Sequence, residues 1–486
     1  MRKQFITGFI LLLAAGAANA QTDTTGNTFQ KQFDQFKQSI EQEHLEFKNS
    51  NDSVFVHFLK DSWKEFEAFK NEMPKEPKPL VQPVVTDTPV IKKPEPEIIP
   101  VDTIRKQTPV KIDTLPAPEK KILNNEPTHT GKAMFGVDFF GTENLLPIPG
   151  NLPLIQQITE NSIADYFNKT SRSEDLTGLI VQLKNVKSNL QLNDWGYYQF
   201  ICKTAETLDF SVNRQVLFTW VALLKSGFNA KIGYSGNDLY LLLPFKEVVY
   251  GTYYTIDNIK YYIQPKHVNQ EFSRLKIHAA NYTDSEQISL TLFNLPRINT
   301  QSNVVELDFK GKKIKVTNNL SLKEFYASYP FCGLNIYFSA PLSQSVKKSL
   351  STFFQPDFQE KTDKQKVAVL LEFVQKAFQY KTDMDQFKYE KYFFPDELFL
   401  YPYSDCEDRS VLFARLVKQF TRLECIGLDY PGHINTAIFF GDETEGTTIT
   451  HNNRKFSVCD PTFSNAPIGY LAPEYKDFQP EIITFE

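Results

Sequence analysis

The stretch YPYSDCEDRSVLF, Tyr401–Phe413, decides how this chain is read. Ser404 and Asp405 are polar and turn-forming, and Arg409–Phe420 runs at helical period, so a helix is expected to open with Cys406 in its first turn. Unpaired backbone N–H groups and the helix dipole favour an anion there, and a cysteine is a nucleophile only as its thiolate. Asp405, Glu407 and Asp408 read as capping residues that interact with the same dipole.

Two later stretches give the cysteine partners. PGHINTAIFF carries His433, placed after Pro431-Gly432 as if entering a strand, and KFSVCDPTF carries Asp460, which ends a strand before Pro461. The order is Cys, His, Asp, with 27 residues between members in each case (433 − 406 and 460 − 433). That spacing lets three separate elements converge. Cys406 would be the nucleophile, His433 would take and return the thiol proton, and Asp460 would hold the imidazole tautomer and stabilise its cation.

The motifs DCEDRSVLFARL, PGHIN and VCDPTF, in that order, resemble the transglutaminase-like superfamily of papain-related thiol enzymes. The resemblance covers about Lys364–Phe463 and, in degenerate form, Trp195–Pro265. It implies an α+β fold and the roles given above for Cys406, His433 and Asp460. It also implies a polar or aromatic side chain near the oxyanion, for which Tyr403 and Tyr401 are the candidates. Asn435 stands where the family often has an aromatic residue, two positions after its histidine.

The degenerate copy comes from comparing the chain with itself at an offset of 195. Arg214, Val216, Leu217 and Phe218 match Arg409, Val411, Leu412 and Phe413, and GTYYTIDNIKYYIQP (251–265) lies over GTTITHNNRKFSVCDP (446–461). The shared residues include Gly251 with Gly446 and Asn258 with Asn453. An internal duplication is expected. Its chemistry is not repeated: Ser211 stands for Cys406, Asp238-Leu239 for the His433 region, and Gln264 for Asp460. Without a general base the first copy should be silent.

The rest of the chain frames these copies. Met1–Ala20 reads as a signal peptide, with Arg2 and Lys3, an apolar run and an Ala18-Asn19-Ala20 ending. Residues 21–72 hold an amphipathic helical segment with apolar residues from Phe29 to Phe69 at three- and four-residue steps, a self-association or packing helix. A Pro-rich linker fills 73–131, with 12 of the 28 prolines between Met73 and Pro127. The degenerate domain spans 132–268, a small antiparallel β module 269–340, and the Cys-His-Asp domain 341–486. Within the last, YEKYFFPDELFLYPY (389–403) reads as core or as the wall of a groove.

A net charge of −5 gives no reason to expect nucleic acid. Five scattered cysteines form no disulfide scaffold, although Cys459 could pair with Cys425. No CxxC occurs and the seven histidines are dispersed, so no metal site and no cofactor are expected. No later run of about 18 apolar residues predicts a membrane span. The leading expectation is an exported peptidase or amide hydrolase, periplasmic or extracellular, that attacks a peptide or protein substrate through an acyl-thioester. The alternatives are a non-catalytic peptide-binding or assembly protein of the cell envelope and a protein-crosslinking acyltransferase.

Overall fold

A computed structural model describes residues 133–264, 275–278 and 285–485. The expected signal peptide, amphipathic segment and Pro-rich linker lie outside the described residues.

The described chain is a mixed α+β structure with two five-stranded antiparallel sheets. It begins with a hairpin, β1 (Met134–Phe139) and β2 (Thr142–Pro147), closed by Phe140 and Gly141 with positive φ. Four helices follow: α1 (Glu160–Ser171), α2 (Glu174–Asn189), α3 (Asp194–Thr207) and α4 (Val212–Ser226). Their starts are written in the sequence, because Thr159, Ser173 and Asn193 each accept a backbone N–H from the first turn they cap. Gly227, left-handed at φ 96°, ends α4. The first sheet then runs β3 (Lys231–Ser235), β4 (Asp238–Pro244), β5 (Tyr253–Ile256), β6 (Ile259–Ile263) and β7 (Lys276–Ile277), in the order β5-β6-β4-β3-β7.

A connecting region holds β8 (Ser302–Phe309), β9 (Lys312–Asn319), α5 (Leu320–Ala327), α6 (Leu334–Ser339) and α7 (Gln344–Phe358). Of the residues described within 269–340, where an antiparallel β module is expected, Lys276–Ile277 joins the first sheet as β7 and the rest form one hairpin, β8 and β9, followed by helices. The run LNIYFSA (334–340) forms α6, and ISLTLFNL (288–295) makes a single isolated bridge, Ile288 to Phe245. Short apolar runs do not distinguish a buried helix from a strand, and here packing decided.

The second half contains α8 (Asp363–Ala377), β10 (Gln379–Tyr380), α9 (Asp383–Gln386), β11 (Tyr403–Ser404) and α10 (Cys406–Phe420). Its sheet runs β12 (Glu424–Tyr430), β13 (His433–Phe439), β14 (Thr448–His451), β15 (Arg454–Cys459) and β16 (Glu481–Ile483), ordered β14-β15-β13-β12-β16. Counted from the helix that precedes it, each sheet has the same strand order. The two outer hairpins even share a turn, Asp257-Asn258 and Asn452-Asn453, all four residues left-handed.

Eleven of the fifteen residues of α10 are buried, so it is a core helix on all sides, packed against α8, α6, β12 and β13. Its polar residues Glu407, Asp408, Arg409 and Ser410 are buried with the apolar ones. The aromatic stretch before it is core rather than an open wall: Tyr392, Phe393, Phe394, Leu398 and Phe399 are all buried.

One core carboxylate makes stability depend on pH. Asp396 accepts the Ser343 N–H on both oxygens (3.1 and 3.2 Å), yet burial outweighs those bonds and raises it from 3.8 to about 6. A group raised on folding stabilises most below its unfolded pKa, and that contribution is lost as pH rises through the folded value. Urea midpoints should therefore show the wild type losing about 3 kcal/mol relative to Asp396→Asn between pH 4 and pH 7. Parallel curves for the two proteins would show that Asp396 titrates alike in the folded and the unfolded chain.

Candidate active site

Cys406, the first residue of α10, is 8 % exposed. Its thiol donates to Glu407 Oε2 at 2.9 Å. Burial, the Glu407 and Asp405 carboxylates and this bond hold the thiol pKa well above 9.0; only the Ile434 backbone opposes them. This corrects the expectation of a thiolate stabilised by the helix terminus. A helix dipole contributes about 0.3–1 kcal/mol, too little against burial and two adjacent carboxylates.

His433 opens β13 because Pro431-Gly432, with Gly432 at φ 76°, folds the chain back so that Tyr430 and His433 pair across the turn. Its Nε2 lies 2.7 Å from Asp460 Oδ2. With Nε2 turned to a carboxylate, the neutral imidazole keeps Nδ1 as its acceptor. Asp460, just beyond β15, is fully buried and held from several directions. Asn435 Nδ2 donates to Oδ2 (3.3 Å), the Thr462 N–H to Oδ1 (2.9 Å), and Gln375 Nε2 to the backbone oxygen (2.9 Å). Burial pushes Asp460 up, but His433 and these donors outweigh it and leave the carboxyl below its ordinary value. Asn435 thus serves the Asp460 carboxylate.

Cys406 and His433 share two neighbours. Ile434, which follows His433, faces the thiol through its backbone. Tyr475 stacks on the imidazole (centroids 4.8 Å apart, 16° between planes), and its phenol is pushed up to about 12 by burial and then by Cys406. Phe463 meets the other ring contact edge-on at 5.6 Å. The loop bearing these residues is pinned where Gly446 and Gly469 cross: a Cβ on Gly446 would lie 2.4 Å from the Gly469 oxygen, which accepts the Thr447 N–H at 2.8 Å.

Of the two oxyanion candidates, Tyr401 is committed to packing, stacked on Phe393 at 4.5 Å and edge-on to Phe387 at 5.4 Å. Tyr403 lies in β11 with the Lys381 ammonium 5.1 Å from its ring. Sequence reading missed Tyr380, which pairs with Ser404 in the short parallel ladder of β10 and β11, two residues from Cys406. The Arg409 guanidinium lies 5.4 Å from the Tyr380 ring. Burial and then the charge of Cys406 raise this phenol far beyond its usual range.

Arg409 is wholly buried and stitches the site together. It donates to Ser404 Oγ (3.1 Å), the Phe378 carbonyl (2.8 Å) and the Thr462 carbonyl (3.4 Å). Burial lowers its pKa to about 10, so it remains a cation at neutral pH.

Carboxylates crowd the start of α10. Asp383, Asp405 and Asp408 offer oxygens within 4.8 Å of one another, and so do Asp383, Glu390 and Glu407. Asp383 accepts from the Lys391 N–H (2.6 Å), Asp405 from the Asp383 N–H (3.3 Å), and Asp408 from the N–H groups of Phe393 (2.9 Å) and Asp405 (3.4 Å). Burial followed by mutual repulsion holds Asp405 and Asp408 well above the carboxylate range. The sequence marked Asp405, Glu407 and Asp408 only as caps and gave no signal for Asp383 or Glu390.

No protein-family model and no curated protein matches the chain. The geometry therefore carries the functional reading.

The five cysteines are free, so Cys425 and Cys459 do not form the disulfide that the sequence allowed. Among the described residues no helix is long and apolar enough to cross a membrane. In the first half Ser211 precedes α4, Asp238 opens β4 and Gln264 follows β6, and no histidine stands at any of these positions.

Proposed function

We propose that residues 341–486 form a transglutaminase-like thiol acyl-transfer unit that hydrolyses peptide or amide bonds. The observation that carries this is the buried His433 Nε2 to Asp460 Oδ2 contact of 2.7 Å, on a strand whose next residue touches the Cys406 thiol. Cys406 gives its proton to His433 Nδ1, and the sulfur attacks the carbonyl carbon. The imidazolium, steadied by Asp460, protonates the leaving amine as the C–N bond breaks. Water, deprotonated by His433, then releases the acyl group as a carboxylic acid and restores the thiol. Tyr380 is a better oxyanion donor than Tyr401 or Tyr403, because its ladder position next to Ser404 sets it beside the nucleophile and its phenol stays protonated.

The same proposal makes residues 132–268 a silent copy of this unit. The shared strand order and the shared Asn turn support it, and Ser211, Asp238 and Gln264 leave that copy without a base. Export, on the strength of Met1–Ala20, belongs to it too.

One observation favours the second reading, a non-catalytic assembly protein: the Cys406 thiol lies 2.9 Å from Glu407 Oε2, and its burial and that carboxylate oppose the thiolate. The readings separate on treating the full chain with activated aryl esters and peptide anilides, followed by acid quench and intact-mass analysis. The enzyme reading expects one acyl adduct, on Cys406 alone and removed by hydroxylamine. No adduct, or equal labelling of the other cysteines, leaves the assembly reading. Competition by added amines would identify crosslinking instead.

A further inference from the structure

Gln375 sits in the last turn of α8, a polar side chain 4 % exposed in a helix that otherwise buries Val367, Leu370, Leu371, Phe373 and Val374. A buried amide nitrogen has two hydrogens to place. Gln375 Nε2 lies 2.9 Å from the Asp460 carbonyl and 3.0 Å from the Ala466 carbonyl, so one nitrogen spans both ends of the loop that leaves β15.

The residues between those two carbonyls form the setting of the base. The Thr462 N–H donates to Asp460 Oδ1 at 2.9 Å, the Thr462 carbonyl accepts from Arg409 at 3.4 Å, and Phe463 meets the His433 ring edge-on. Side-chain packing leaves a gap here. A cavity of about 460 Å³ is lined by Leu371 and Gln375 from the helix and by Ala466, Pro467 and Ile468 from the loop. Phe463 and Ala466 pack instead with Ala472, in a small apolar cluster apart from the main core. Across that gap the Gln375 amide ties loop to helix. In the proposed silent copy Gln264 takes the place of Asp460, and Ala205 is third from the end of α3 as Gln375 is of α8. Acid and amide are missing together.

Building on the acyl-transfer reading, we propose that Gln375 is a positioning residue: by holding the Asp460 main chain it sets how closely the carboxylate meets His433, and so how firmly the imidazole is held. Without its donors the Asp460 and Ala466 carbonyls lose their partner and the loop can draw toward the cavity, which lengthens the Nε2 to Oδ2 contact of 2.7 Å. A misplacement of about 1 Å costs about a hundredfold in rate. Gln375 lies behind Asp460 and holds its main chain, so the loss falls on kcat and not on KM.

The experiment compares the full chain with Gln375→Met, which keeps the length of the side chain and loses both donors. Val367→Ala, a cavity-forming change at a fully buried position of the same helix, is the control for general loosening. One readout is kcat and KM on the aryl ester that acylates the wild type. The other is the proton resonance of the His433 Nε2–H in protein carrying isotope-labelled histidine, assigned by its loss in His433→Gln. Gln375→Met is expected to lower kcat about a hundredfold with KM within about twofold, and to move the resonance upfield as the bond to Asp460 lengthens. Val367→Ala should lower the melting temperature and change neither readout. If Gln375→Met does not fold, as judged by circular dichroism, Gln375→Asn, whose amide is one methylene short, gives the same readings. The proposal is overturned if the resonance stays in place, if kcat remains within about threefold of wild type, or if Val367→Ala moves the resonance as far. A wild type that acylates nothing sinks the acyl-transfer reading alone, and the resonance then decides whether Gln375 holds the pair of Asp460 and His433.

Discussion

Replacing Cys406 with alanine is expected to lower acyl transfer by about ten-thousandfold or more while leaving the fold in place. In the proposed reaction the sulfur is the atom that forms the covalent intermediate, so no neighbouring group would replace it. Ser410 lies on the same helix, but its hydroxyl donates to the Ile434 carbonyl at 3.0 Å and is turned to the β13 backbone. The fold should survive because the thiol makes one side-chain hydrogen bond, to Glu407, and alanine keeps α10 helical. Initial rates on whichever probe acylates the wild type give the measurement, with a circular dichroism spectrum as the control. Residual activity above about a hundredth of wild type would assign the chemistry to another nucleophile.

Arg409→Leu should be the most damaging single change to stability, about 4 kcal/mol. The guanidinium is entirely buried, and removing it strands three partners at once: Ser404 Oγ and the carbonyls of Phe378 and Thr462. Those partners belong to β11, the end of α8 and the loop that follows Asp460, so the loss is shared by three of the elements that meet at the site. Leucine fills part of the volume but offers no donor. Urea unfolding should show the shift in midpoint with an unchanged slope. A loss under about 1 kcal/mol would mean that water takes over the three acceptors.

Much of this was legible in the sequence because the signals were local. The Asn258 and Asn453 turns and the Pro431-Gly432 reversal depend on one or two residues whose backbone preferences are strong. The meeting of His433 and Asp460 was legible because the two residues mark strand ends. What stayed hidden depends on packing across the fold. The matched glycines Gly251 and Gly446 illustrate the limit: Gly446 is left-handed and jammed against Gly469, whereas a Cβ on Gly251 meets open space. The setting of the thiol stayed hidden for the same reason, since the sequence put Cys406 at a helix start but did not show the burial and the carboxylates around it, which oppose the thiolate. Tyr475 and Tyr380 gave no motif at all, because each reaches the site from an element with no pattern of its own.

The roof over the imidazole has a consequence for what can reach the sulfur. Cys406 and His433 are 8 and 5 % exposed, and Tyr475 lies flat against the histidine from a three-residue turn. Under the acyl-transfer proposal, a centre this deeply covered would exclude an acyl donor fixed on a rigid folded exterior. It would favour a slack, extended stretch of chain. Selection among targets would then follow how loosely a segment is held as much as which side chains it bears.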